Sequence, residues 1–316
     1  MVVESKSHIE RRYTIDLQKL ATEYGFAECY VLPTVPFTHY ERRLNSGALH
    51  SAARELTINL RRSAPWASAL LALIYPYRPY ADTIPVSGNY PASNAIYHAA
   101  GRLMQTLNAQ GIRTERAEVP IREMLLRCGA GSPLKNGLTL IPGYGTRYSV
   151  QTLLSQLPDP AYTPARKPEP VRCSGCRACE KICPSGAILD GGYDFQTCAR
   201  AYMGGDPMES WVMDAMTCIL GCELCQKVCP YNSEIETISE MPEAFRLEEI
   251  LKGNVKPALE IVGKNLNKKG RMIQHACVVA AKQGRTDLLP LIEPLLEDER
   301  EGVRVAAAYA LEHLGR

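Results

Sequence analysis

Apolar residues at Ile15, Leu17, Leu20, Ala21 and Tyr24 recur with a helical period and stop at Gly25, which predicts a first helix. Residues 27–32 read as a strand and 33–36, with its prolines, as a loop. Leu49, Ala52, Ala53, Leu56 and Leu60 share one helical face, so a helix is expected over 49–62. The run ALLALIY at 69–75 is apolar throughout and bounded by prolines, the pattern of a buried strand. Residues 77–93, rich in Pro, Gly, Asn and Tyr, predict a loop. A helix follows over 95–110, with Ile96, Ala99, Ala100, Leu103, Met104 and Leu107 on one face and Gly111 beyond its end. Strands are expected at 137–142 and 149–157, and a proline-rich linker at 158–170.

From about residue 242 the alternation changes to helical stripes only. These are Leu247/Ile250/Leu251, Ala258/Ile261/Val262, Ile273/Cys277/Ala280, then 288–296 and 303–314. Paired helices with small residues at their contacts resemble a HEAT-type unit, with a plain helical cap as the alternative. The expected class is α+β, in three parts. An N-terminal α/β domain occupies 1–160, a cysteine-rich domain 161–241 and a helical domain 242–316.

Composition narrows the function. Lys+Arg 36 against Asp+Glu 34 leaves a net charge of +2, so the chain is no wholly basic nucleic-acid binder, although a local basic run remains open. No apolar stretch is long enough for a membrane span, and the N-terminus has no signal-peptide core. A reducing cytoplasm is the expected location. Against that background, nine of the 12 cysteines fall between Cys173 and Cys229, which argues for metal ligation by thiolates.

Two runs carry the pattern. Cys173, Cys176, Cys179 and Cys183 follow C-x2-C-x2-C-x3-C-P, and Cys222, Cys225 and Cys229 follow C-x2-C-x3-C-P. The first spacing is that of two-cluster ferredoxins, in which the last cysteine of a run ligates the other cluster. Cys173, Cys176, Cys179 and Cys229 then hold one 4Fe-4S cluster, and Cys183, Cys222 and Cys225 hold three irons of a second. Cys198 and Cys218 compete for its fourth place, and spacing does not decide between them. A pair of zinc sites is the alternative for the whole set. Two clusters that exchange ligands suit one-electron relay.

The order of these motifs resembles the epoxyqueuosine reductase family. That resemblance implies a nitroreductase-like first domain binding cobalamin, a double-cluster ferredoxin-like domain, and reduction of an epoxide on a modified tRNA nucleoside. It implies Cys198 as the eighth ligand. It also implies a cobalamin site at Tyr97-His98 and at the Gly-rich segment with Lys135, Asn136, Gly143, Tyr144 and Gly145. Ala117 stands where the family has an acidic proton donor, which leaves Glu118 and His98 as candidate acids. Taken alone, His98 reads first as an ordinary surface or satisfied core histidine.

The reading that follows is a cobalamin-dependent reductase fed by a ferredoxin or flavodoxin, with tRNA as a partner. Lys264, Lys268, Lys269 and Arg271 form the dense basic run for phosphate contacts, with a solvated helix turn as its alternative. A second reading is an electron-transfer protein or reductive activator of a corrinoid protein, without its own substrate. A third is an iron-sulfur scaffold.

Overall fold

Asp16 caps the first helix, α1 (Leu17–Glu23), its carboxylate accepting from the Lys19 N–H at 2.9 Å. The computed structural model describes residues 15–46, 56–81, 84–165, 167–168, 170–190, 192–240 and 242–315. After α1 come β1 (Glu28–Pro33), α2 (Thr38–Asn45), the short α3 (Leu60–Ser63), β2 (Ala69–Pro76), α4 (Asn89–Ala109), β3 (Thr114–Arg116) and α5 (Ile121–Arg127). The two-residue strands β4 (Ser132–Pro133) and β5 (Thr139–Leu140) pair with each other, and β6 (Tyr148–Ser155) completes the first half.

β1-β2-β6-β3 is the order of the main sheet, and every pairing is antiparallel. The apolar β2 is central, as an all-apolar strand must be. Its odd residues Ala69, Leu71 and Leu73 pack with Leu153 under Ile96, Ala100, Leu103 and Leu107 of α4. Its even residues Leu70, Ala72 and Ile74 pack with Leu154 under Met124 and Leu125 of α5 and the segment through Ala130 and Ile141. Alternation along β2 thus separates two cores on opposite faces of one sheet.

Several expected elements have different limits. Of the helix expected over 49–62, residues 49–55 lie outside the described residues, and only α3 is helical in the remainder. Thr57 N–H donates to Glu118 O and Phe37 N–H to Ile58 O, which hold the chain out of helix until Asn59 caps Arg62. α4 begins at Asn89, inside the expected loop, because Pro91 falls in a first turn that needs no N–H. The strand expected at 137–142 is reduced to β5, since Ile141 turns back to Gly145 through Gly143 at φ +81°.

The segment 158–165 has no regular structure but folds back along the sheet edge: Thr163 N–H donates to Val31 O and Tyr162 OH to Ser68 O. In the cysteine-rich region lie α6 (Ala178–Ile182), β7 (Ile188–Leu189), β8 (Gly192–Tyr193), α7 (Ala199–Tyr202), α8 (Ser210–Ala215) and α9 (Leu224–Lys227). The tail forms α10 (Leu247–Leu251), α11 (Lys256–Val262), α12 (Arg271–Lys282), α13 (Leu289–Ile292) and α14 (Glu301–His313). α12 and α14 approach closely through Ala276, Ala280, Ala306, Ala307 and Ala310. Their core is continuous with Ala199, Met203, Val212, Met213, Ile219 and Leu220 from the cysteine-rich region. No helix among the described residues is long and apolar enough to cross a membrane.

Candidate metal centre

Short helices interrupted by proline bring the thiols together. Cys183 ends α6 in extended conformation ahead of Pro184, and Cys229 ends the α9 turn ahead of Pro230. Cys173, Cys176, Cys179 and Cys229 line one cavity of about 300 Å³, with Leu134, Lys135, Asn136, Arg172 and Tyr231 in its wall. Two of its wall residues are tied together, the Arg172 N–H donating to the Tyr231 hydroxyl at 2.7 Å.

Cys183 and Cys198 face Cys222 and Cys225 from the other side. Burial pushes the Cys225 thiol up to about 12, and the sulfurs of Cys222, Cys198, Cys179 and Cys183 push the same way. Cys222 is raised by burial, then by Cys198 and Cys183. Cys218 is buried at Thr217 and raised by burial to about 11, with Cys222 the ligand candidate near it. The Ala187 N–H donates to Cys183 Sγ at 3.3 Å, a bond of the kind that tunes a cluster's potential.

Each run thus lends its last cysteine to the other set, and Cys179 of the first set lies within electrostatic reach of Cys225 of the second. Two sets of soft sulfur donors, each completed by the last cysteine of the other run, fit 4Fe-4S clusters in both donor type and interleaving.

Two residues that sequence reasoning missed anchor this region. Glu223, between Cys222 and Cys225, is buried and accepts from the buried Arg147 guanidinium and from the Ser87 and Tyr77 hydroxyls. A charged residue between two ligand cysteines was the available signal. Asn232 adds a second tie. Its Oδ1 accepts from Thr146 N–H at 2.8 Å, and its Nδ2 donates to Gln226 O at 2.7 Å and to Thr146 Oγ1 at 2.9 Å. A Cβ on Gly145 (φ +59°) would lie 2.1 Å from Asn232 Oδ1, so this glycine makes room for the cysteine-rich region.

The residues expected at a cobalamin site do not all converge. Lys135 and Asn136 lie in the wall of the first cavity, on the α5 side of the sheet. Lys135 donates to Glu180 at 2.5 Å and Asp190 at 3.3 Å, and these partners raise its pKa while Lys135 and Arg177 lower that of Glu180. Tyr144 packs in the α5 core beside Glu28, and Gly143 has open space around it. Tyr97 and His98 are exposed on α4, across the sheet, where the Arg116 guanidinium covers the Tyr97 ring at 3.7 Å. Glu118 is exposed between the buried Ala117 and Val119. In the basic run, Lys269 pairs with Asp206 at 3.1 Å and Arg271 donates to Gly204 O at 3.4 Å, while Lys264 and Lys268 are exposed.

Residues 172–232 match the family of 4Fe-4S double cluster binding domains. No curated protein is significantly similar to the chain in sequence. Among solved structures, the epoxyqueuosine reductase of Bacillus subtilis superposes with a TM-score of 0.74 at 19% identity, over 94% of this chain and 89% of that one. That of Streptococcus thermophilus gives 0.75 at 18% identity over the same shares. An epoxyqueuosine reductase holding an epoxyqueuosine-modified tRNA-Tyr stem loop gives 0.76 at 19%, again over 94% and 89%. The likeness at these identities is one of fold.

Proposed function

We propose that this chain is a cobalamin-dependent iron-sulfur oxidoreductase that reduces an epoxide on a tRNA nucleoside, as epoxyqueuosine reductases do. The observation that carries this reading is the pair of interleaved cysteine sets, the first of which opens onto Lys135 and Asn136 of the α+β domain. Under it, Cys173, Cys176, Cys179 and Cys229 bind one cluster, and Cys183, Cys198, Cys222 and Cys225 the other. The domains are those expected at 1–160, 161–241 and 242–316, nitroreductase-like, ferredoxin-like and HEAT-like in turn.

Asn136, Gly143 and Tyr144, with Lys135, suit a large amide-fringed cofactor: a neutral amide, an uncrowded backbone turn and a phenol on one side of the sheet. Tyr97 and His98, on the opposite side, do not fit that set. Cobalamin, when bound, supplies a strongly reducing cobalt centre. The protein's part is to hold the substrate, relay single electrons and provide a proton, for which exposed Glu118 is the candidate. tRNA phosphates would meet Lys264 and Lys268, the cations of the basic run that are exposed and outside the Gly204–Asp206 contacts. A reducing cytoplasm suits free thiols in such numbers.

Anaerobic reconstitution tests the reading. About eight irons per chain, retention of added cobalamin and turnover of epoxyqueuosine-containing tRNA are expected. Ala117 at the acid's place, with His98 across the sheet, favours the second reading: an electron-transfer protein or activator of a corrinoid protein. Eight irons without cobalamin retention or tRNA turnover would select it.

A further inference from the structure

Arg147 and Glu223 are only 2% and 3% exposed, and their side chains form an ion pair. Two buried charges are costly to keep, so the place of each one is informative. Glu223 belongs to the loop between Cys222 and Cys225 of the second set. The Ser87 and Tyr77 hydroxyls donate to the same carboxylate and hold it beside that loop.

Arg147 comes from the sheet side. It follows Gly145 and Thr146, whose contacts with Asn232 tie this turn to the residues just after Cys229 of the first set. Its backbone is fixed at both ends, the N–H donating to Tyr144 O at 3.0 Å and the carbonyl accepting from the Tyr77 N–H at 2.9 Å. On top of burial, the charge of Glu223 reaches Cys218, beside Cys222, and the charge of Arg147 reaches Cys229. The pair is thus a held dipole, negative in the loop of the second set and positive toward the first. Arg147 Nε is also a buried donor with no partner among the described residues, and a sulfur acceptor of the first set suits it. Arg200 and Lys227, the cations that reach Cys222 and Cys218, are exposed, so water and salt screen them far more than the pair.

We propose that the buried Arg147–Glu223 pair sets the direction of electron flow, from the second cluster to the first. The proposal rests on the reading of the cysteines as ligands of two 4Fe-4S clusters. A positive pole beside one cluster favours its reduced form, and a negative pole beside the other disfavours it. One electron then moves downhill, the second cluster being oxidised by one and the first reduced by one, with no bond made or broken. The cavity of the first set is the one walled by Lys135 and Asn136, so the flow runs toward the α+β domain. Arg147 and Glu223 act through the field they set up and are positioning residues.

Anaerobic redox titration of the reconstituted protein, followed by electron paramagnetic resonance, reads a midpoint for each cluster, and Cys173→Ser assigns the first by its loss. The first midpoint is expected to lie above the second. The reverse order, or equal midpoints, overturns the proposal with no change made to the pair. Arg147→Met together with Glu223→Gln removes both charges and strands neither. It is expected to narrow the gap by about 10-fold in the one-electron equilibrium between the clusters, which is about 59 mV. A lower thermal midpoint with an unchanged gap would make the pair a structural tie alone and overturn the proposal, leaving the cluster reading intact. Absence of iron from the unsubstituted protein would remove the cluster reading and this proposal together.

Discussion

Cys198 and Cys218 differ in what surrounds them, and the difference decides a prediction that spacing leaves open. Cys198 bears on Cys222, Cys225 and Tyr193, whereas Cys218 is a buried thiol beside Thr217. Cys198→Ser is expected to lower iron from about eight to about four per chain, and Cys218→Ser to leave it unchanged, as iron analysis of anaerobic protein would register. His275 supplies a second prediction. Its Nδ1 meets Ile219 O and its Nε2 lies 2.8 Å from Met203 O, but a neutral ring has one N–H to give. Burial, with Arg271 and Arg200 adding to it, outweighs those carbonyls and holds the pKa down to about 4. The folded state thus favours the neutral ring. Its contribution is present above the unfolded value near 6.5 and is lost as pH falls toward 4, on the order of 3 kcal/mol. Denaturation of wild type and His275→Gln between those pH values should show the steeper loss in wild type. The grouping of the cysteines into two sets was legible because the short spacing within each run keeps its thiols together. Nothing local marks His275, whose partners are 56 and 72 residues away in sequence.

Between elements, the start of β6 and the loop before α4 receive the cysteine-rich region. Parallel bridges join Tyr80 to Ile238 and Val86 to Leu220, and the Arg147–Glu223 pair is buried where they meet. Glu223→Gln would leave a guanidinium buried without its counter-charge, at a cost of about 3–5 kcal/mol. The expected result is a lower thermal midpoint together with loss of iron from the Cys222–Cys225 loop. Arg147→Met added to Glu223→Gln should recover part of the stability, because it removes the stranded charge. Long periodic elements such as α4 and β2 were legible in the sequence. β3 and α5 were not, since a strand of three residues and a helix of seven after Pro120 offer too few positions for a period to register. Within the described part of the 49–62 stripe, residues 57–59 are held out of helix because backbone bonds from Phe37 and Thr57 outweigh helical propensity there.

At the scale of the whole molecule, the tail and the second cysteine set share a core. Helical stripes after residue 242 announced apolar faces but not what covers them. The covering residues are Ala199 and Met203 of the segment following Cys198, and Met213, Ile219 and Leu220 ahead of Cys222. His275 of α12 meets Met203 O and Ile219 O on both sides of that segment, and Gln274 donates to Asp206 at 3.1 Å. The first set is held differently, by Asn232 on Thr146 and by Lys135 on Glu180, away from the tail's hydrogen bonds and ion pairs among the described residues. Removing residues 242–316 should therefore act on one cluster more than the other. Residues such as Met203 and Ile219 would be exposed, α7 would lose its seat, and Cys198 would no longer be held toward Cys222 and Cys225. Iron should fall from about eight to about four per chain, with the remaining cluster assigned to Cys173, Cys176, Cys179 and Cys229 by its loss in Cys173→Ser of the shortened protein. Retention of all eight irons would mean that the helical tail covers the second set without organising it.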